Sequence, residues 1–230
     1  MARPKHQVEP ADLRHLPRML ETHRRAFSAD PMFGYIFTKG DQASIARSML
    51  LALCQKLFIV VITAYFMVCR DNYQIGGGVA YITWNPASEF SPPPDWLYMF
   101  IMNFFQRLKT ILCTPEQQRR DAEYGTKLAE ARTSVLGEGS HELICLNVLA
   151  ADPVVQGRGY GLSLLTLLCA MADDQNRKVW LTSTNTNNTR FYEASGFITV
   201  RDIVLGQDNP VHKANPVVIK FMVREPRRRD

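Results

Sequence analysis

Between Leu143 and Gly161 the chain reads LICLNVLAADPVVQGRGYG, an apolar run followed by Asp152-Pro153 and then Gly157, Gly159 and Gly161 at alternate positions. That pattern predicts a buried strand, a sharp loop and a helix start. A helix start offers unpaired N–H groups and the positive end of the macrodipole, and glycines let a phosphate approach the backbone without meeting a Cβ. The chemistry predicted here is anion binding. Two familiar anion loops do not fit. A dinucleotide fingerprint would need a third glycine where Leu162 stands, and a P-loop would need Gly-Lys-Ser/Thr, which is absent. An ordinary turn capping a core helix is the plain alternative.

A second cluster follows at a fixed distance. Val179 to Asn185 (VWLTSTN) alternates as a short strand, Tyr192 lies seven residues after Asn185, and Gly196-Phe197 follows. Together with Gln156-x-x-Gly159-x-Gly161, this resembles the GNAT N-acetyltransferase superfamily. Its pyrophosphate loop reads Gln/Arg-x-x-Gly-x-Gly/Ala after the fourth strand, and its next strand and helix carry an Asn, a Tyr seven on, and a Gly-Phe. The resemblance runs from about Val60 to Arg224 and is strongest from Leu143 to Phe197.

The resemblance implies acetyl-CoA as acyl donor. The loop Gln156, Gly157, Arg158, Gly159, Tyr160 and Gly161 would hold the pyrophosphate, and Leu149, Ala150 and Ala151 would offer backbone groups to pantetheine and the acetyl carbonyl. Asn185 and Asn188 complete the expected cofactor contacts. Tyr192 would be both a cofactor contact and the general acid. A phenol of ordinary pKa about 10 can protonate a departing thiolate.

Transfer to an amine also needs the acceptor to lose a proton. Relatives place a Glu or His on the inward face of the fourth strand, where this chain has Cys145 and Asn147, neither a base at neutral pH. Asn147 is expected to hold a water or to be a hydrogen-bonded core Asn. Glu142 points to the opposite face by period-two alternation unless a bulge intervenes. His23, Asp30 and His141 are the remaining candidates for the base.

The elements that must position these groups fit one domain. The chain has 230 residues, enough to bury a core without disulfides. Cys54, Cys69, Cys113, Cys145 and Cys169 lie in apolar stretches without metal-ligand spacing, and read as reduced thiols of a cytoplasmic protein. No metal is expected, nor any signal peptide. A net charge of +5, partly in the tail at Arg224, Arg227, Arg228 and Arg229, suits an anionic cofactor but makes no aromatic-and-basic nucleic-acid surface. Met49 to Cys69 is apolar enough to suggest a membrane span. It contains Gln55 and Lys56 and divides into a helical-period part and a β-branched part, and the mean hydropathy is −0.15, so no membrane is expected.

In chain order, His6 to Glu9 reads as a short strand ended by Pro10. Asp12 should cap a helix carrying Leu13, Leu16, Leu20, His23 and Phe27, with Pro17 in its first turns. Asp30-Pro31 should end it in an aromatic loop (Phe33, Tyr35, Phe37) reaching Lys39-Gly40. Asp41 should cap a second helix with Ile45, Met49, Leu53 and Leu57 on one face. Val60 to Arg70 and Ile75 to Trp84 read as a hairpin turning at Asp71-Asn72, with a bulge or close backbone contact at Gly76-Gly77-Gly78.

A helical insertion of about 87–140 then separates the third and fourth strands, opened by Pro92-Pro93-Pro94. From Trp96 to Phe105 only Asn103 is polar, so this helix must be buried, either over the acceptor end of the cleft or against a second copy. Thr114-Pro115-Glu116-Gln117 is a capping box opening a charged helix toward Thr133, and Gly137-Glu138-Gly139 leads back to the sheet. Tyr160 to Ala172 and Thr189 to Ala194 are helices; Phe197 to Leu205 and Val217 to Val223 are strands.

The expected fold is therefore α/β, a mixed central sheet flanked by helices, in one N-acetyltransferase domain spanning 1–230 with its cofactor-binding part at 141–224. The expected activity is transfer of an acetyl group from acetyl-CoA to the amine of a small molecule, directly within a ternary complex. A protein or peptide N-acetyltransferase and a noncatalytic acyl-CoA-binding module are the alternatives. A homodimer through the insertion is the expected assembly, if any.

Overall fold

The computed structural model describes residues 6–37, 45–69, 72–87 and 96–227. Lys39-Gly40, Asp41, Asp71, Pro92-Pro93-Pro94, Arg228 and Arg229 lie outside the described residues, as do the side chains of Cys69, Glu138 and His141.

Seven strands form one sheet in the order β1-β2-β3-β4-β5-β7-β6. They are β1 (Glu9–Pro10), β2 (Asn72–Ile75), β3 (Ala80–Asn85), β4 (Ile144–Ala151), β5 (Val179–Ser183), β6 (Ile198–Leu205) and β7 (Val217–Arg224). All neighbours are antiparallel except β4 and β5. The parallel pair needs a crossover, and α6 (Tyr160–Asp174) supplies it.

Period-two alternation gives the sheet two different faces. Ile82, Ile144, Leu146, Val179, Leu181 and Met222 meet Leu164, Leu165 and Leu168 of α6, with Phe197 and the half-buried Tyr192 of α7 (Thr189–Glu193) beside them. On the opposite face Tyr81 and Ala150 meet Met19 of α1 (Leu16–Ala26). Further along that face Ile203, Leu205, Ile219 and Phe221 meet α2 (Pro31–Ile36) and α5 (Pro115–Leu136).

Several local expectations change. Asp12 caps a short 3₁₀ turn, Leu13–His15, before α1 begins, and Leu13 is exposed. The stretch after Asp30 is α2 rather than a loop. Asp30 accepts from the N–H groups of Met32 and Phe33, and Pro31 sits at the first helical position where it lacks only an orphan N–H. The run Val60 to Cys69 is not a strand, because α3 (Ile45–Cys69) continues through it as one helix. The hairpin is instead β2–β3, and the three glycines are its turn, with φ of +62°, +70° and +98°. Gly78 also lets α1 approach, for a Cβ there would lie 3.0 Å from Met19 Cγ, and its carbonyl accepts from Thr22 Oγ1 at 2.8 Å.

The insertion between β3 and β4 is α4 (Trp96–Leu112) and α5. Thr114 and Gln117 form the capping box reciprocally. α5 is tied down by a polar network in which Glu123 accepts from Tyr35 Oη at 2.6 Å, Lys127 Nζ at 2.8 Å and the Gly206 N–H at 3.1 Å. α4 does not bury its circumference. It packs on α3, with Ile101, Phe105 and Tyr65 at the centre of their own cluster, while Trp96, Phe100 and Phe104 stay exposed. The α3–α4 pair joins the domain through α1 and its preceding turn on the α3 side and through Lys109–Asp121 to α5 on the α4 side.

Candidate active site

β4 and β5 pair only at Ile144–Val179 and Cys145–Trp180; beyond these the strands separate. The register of β4 against β3 also shifts, Thr83 facing Val148 and Trp84 facing Leu146, so Asn147 is the extra residue of a bulge. Facing changes accordingly. Ile144 and Leu146 join the α6 face, and after the bulge Leu149 and Ala151 do so while Val148 and Ala150 turn to α1. The result is a cleft beside the last residues of β4, whose backbone groups on the β5 side are not taken by the ladder.

The loop after β4 has the conformation that its glycines imply. Asp152 caps a 3₁₀ turn, Pro153–Val155, and Gln156 Nε2 returns to the Ala151 carbonyl at 3.2 Å. Gly157 and Gly159 have φ of +77° and +87°, where side chains are strained, and Gly159 is the left-handed N-cap of α6 without any side-chain cap. The first N–H groups of α6 are therefore open to an anion. Gln156, Gly157 and Arg158 are exposed, and a Cβ on Gly157 would meet nothing within 4 Å. Gly161 differs: it lies in the first turn of α6, and an added Cβ would meet the Phe191 ring at an ordinary 3.5 Å. These residues fit a pyrophosphate. Tyr160 is half-buried beneath His6, whose ring meets it edge-on and whose Nε2 lies 2.8 Å from the Arg158 carbonyl.

On the far side of the cleft Asn185 caps the turn Thr186–Asn188, accepting from the Asn187 N–H, and exposed Asn188 leads into α7. Tyr192 packs among Phe191 and Phe197. Burial pushes its phenol up to about 12, so it keeps its proton at any physiological pH. That is the protonation state a donor needs.

Of the candidates for the base, His141 has its side chain outside the described residues, and the others are engaged or placed as follows. Burial pushes Cys145 up to about 12, so it remains a thiol, with Sγ 3.5 Å from Asn147 Oδ1. Asn147 is exposed, with Asn85 Nδ2 also 3.5 Å away. Glu142 is not on β4 but in the turn before it, exposed beside Arg177. Both Asp30 oxygens are occupied, one by the cap of α2 and the other by Thr184 Oγ1. His23 lies 2.8 Å from Tyr81 Oη and burial lowers its pKa to about 4, so it is neutral but holds an added proton weakly.

Two residues of this region escape a motif-based reading. Arg18 and Arg25 each reach the fully buried Asp152 at 2.8 Å and so fasten α1 to the root of the loop. Their spacing of seven, two helical turns on one face, was the available signal.

A family model described as "Acetyltransferase (GNAT) family" matches residues 61–197, more than half of the chain. The chain belongs to the GNAT acetyltransferase family. A curated relative, an uncharacterized N-acetyltransferase of Schizosaccharomyces pombe, is 27% identical over 132 residues, 57% of this chain and 51% of its own length. The chain thus spans about half of that relative. Among solved structures, a mosquito arylalkylamine N-acetyltransferase-like 5b superposes with a TM-score of 0.56 at 16% identity, covering 95% of this chain and 99% of that one. The Drosophila melanogaster polyamine N-acetyltransferase gives 0.55 at 15% identity, with 95% and 99% covered. Histone acetyltransferase HPA2 and related acetyltransferase of Corynebacterium glutamicum gives 0.55 at 18%, with 97% of both chains covered. At these identities the likeness is one of fold, and the GNAT arrangement of a mixed sheet flanked by helices is what they share.

Proposed function

We propose that this GNAT protein moves an acetyl group from acetyl-CoA to the amine of a small molecule, directly within a ternary complex. The observation that carries the reading is the separation of β4 from β5 beside an uncapped α6 N-terminus, with the protonated Tyr192 phenol on the α7 side. When bound, acetyl-CoA supplies the thioester acetyl group. The chain's own residues do the rest. The N–H groups from Gln156 to Gly161 bind pyrophosphate, Asn185 and Asn188 border the cofactor, and the backbone of Leu149 to Ala151 offers hydrogen bonds to pantetheine and to the developing oxyanion. Tyr192 holds a proton for the leaving sulfur.

A small acceptor is favoured by α5, which covers the sheet face opposite α6 and is joined to β5 by a hydrogen bond between Tyr124 and Thr182. The relatives described as arylalkylamine and polyamine acetyltransferases accord with that choice. The support comes from α5, not from the exposed α4. With Cys145 kept as a thiol and His23 neutral, this reading has the acceptor enter as its free amine. The test is thiol release from acetyl-CoA against a panel of amines across pH. With an active acceptor, kcat/KM should rise tenfold per pH unit up to that acceptor's own pKa. A plateau set by one fixed pKa for all acceptors would mean that the protein supplies a base. No thiol release with any amine, but release with peptides, would transfer the reading to a peptide acetyltransferase.

A further inference from the structure

α3 is apolar around most of its circumference, as is α4 from Trp96 to Phe105, and a helix of that kind is ordinarily buried in a protein core or in lipid. The protein buries only the sides that the two helices turn to each other and to α1. Among the described residues α3 is the helix long and apolar enough to cross a bilayer, with a mean hydropathy of 2.0 over Ile45–Tyr65, and only 11% of that window is buried. Ile45, Met49, Leu50, Leu53, Leu57 and Val60 are exposed along it, and Trp96, Phe100, Phe104 and Ile111 continue the apolar surface on α4. A core helix would be covered. A leader would not follow α1, which is ion-paired to the buried Asp152.

The charges on this pair all have one sign. Arg47, Lys56, Arg107 and Lys109 are the charged residues of the two helices, and neither helix contains an Asp or Glu. Arg47 donates to the last carbonyls of α4 and Lys109 pairs with Asp121, while Lys56 and Arg107 are exposed beside the apolar side chains. A second copy docked on the same face would bring like charges together. Lipid phosphates would complement them.

We propose that the exposed α3–α4 face docks on an anionic lipid bilayer. The helices lie in the interface with their Leu, Met, Trp and Phe side chains at the acyl boundary, and Lys56 and Arg107 extend toward headgroup phosphates. Spanning is disfavoured on two grounds. Lys56 stands mid-helix between Leu53 and Leu57, and another flank of α3 is occupied by α1, which belongs to the folded domain. The proposal is independent of the acceptor's identity. It brings the enzyme to a surface where amphipathic amines concentrate.

The test is vesicle flotation of the full chain with phosphatidylcholine alone and with added phosphatidylserine, alongside sedimentation velocity without lipid. The protein should float with the anionic vesicles, less with the neutral ones, and less in high salt. Leu53→Ser with Leu57→Ser, and separately Phe100→Ser with Phe104→Ser, should each lower partitioning by about tenfold or more. Lys56→Glu with Arg107→Glu should remove the preference for phosphatidylserine. Circular dichroism and acetyl-CoA binding should stay unchanged, since these side chains are exposed and distant in sequence from the cofactor loop. The proposal is overturned if the folded protein floats with neither vesicle or if the serine variants float as well as the original. It is likewise overturned if the protein sediments as a dimer that those variants dissociate while no lipid is bound.

Discussion

α6 and α3 are both leucine-rich and apolar on several faces, yet one is the centre of the core and the other is largely uncovered. Leu164, Leu165 and Leu168 of α6 are fully buried, whereas Ile45 of α3 is 82% exposed and Met49 62%. The difference is topological. α6 is the crossover between two parallel strands and is drawn across the sheet by both ends, with β2, β3 and β4 beneath it. α3 leads into a hairpin at one side of the sheet, where α1 already occupies the adjoining place. Apolarity says that a helix must be covered; connectivity decides by what.

The largest effects should arise at the α6 end. Tyr192→Phe should lower kcat by about 10²- to 10⁴-fold with little change in acetyl-CoA affinity, because a proton on the departing sulfur matters chiefly in the transition state. A loss confined to acetyl-CoA affinity would make Tyr192 a cofactor contact only. Gly159→Val, at φ +87°, should weaken acetyl-CoA binding by calorimetry by more than about tenfold in a protein that still folds. Phe100→Ala on α4 should change neither quantity. Equal effects from the two ends would break the comparison.

Stability should divide in the same way. Leu168→Ala removes a fully buried side chain from α6 and should cost about 2–5 kcal/mol in denaturant unfolding. Leu53→Ala, 58% exposed on α3, should change stability by less than about 0.5 kcal/mol in the absence of lipid. A large loss from Leu53→Ala in lipid-free solution would show that the face is already covered there, by another copy.

The same contrast governs what could be read in the sequence. The stretch from β4 to α7 was legible because its signals are local: Asp152-Pro153 for the loop, alternate glycines for the helix start, and the fixed spacing of Asn185, Tyr192 and Gly196-Phe197. α3 was misread after Val60 because Ile59-Val60-Val61-Ile62-Thr63 has β-branched propensity, which helix continuation and packing on α4 override. The three glycines read as a bulge or close backbone contact within a strand; Gly78 does make a close approach to α1, but the three are the hairpin turn, since a positive φ at all three positions cannot be told from a bulge by composition. α2 is six residues long, too short to show a period, though its Asp30-Pro31 start is a cap with a mechanism. The burial of α4 was inferred from its composition alone, and composition does not name the covering surface.

A further effect, confined to a narrow pH window, lies between the two regions, at α1, which packs on the sheet and adjoins α3. His23 is half-buried against Phe27 and hydrogen-bonded to Tyr81, and its pKa falls to about 4 because burial disfavours the charged ring. In the unfolded chain the ring takes a proton near the ordinary value of 6.5. Between 6.5 and about 4 the unfolded state therefore binds more protons, so stability should fall as pH falls through that window and be insensitive to this group above it. Acidification from neutrality to about pH 5 should cost about 2 kcal/mol on this account. His23→Gln retains a hydrogen-bonding group toward Tyr81 without titrating, and urea unfolding of that variant should lose most of this slope while keeping its neutral-pH stability within about 1 kcal/mol. If the slope persists in His23→Gln, the acid sensitivity belongs to carboxylates, with the Asp173–Arg224 ion pair the first to examine. If instead the slope vanishes only when anionic vesicles are present, α1 is steadied by the lipid-covered α3, and the two regions are coupled through it.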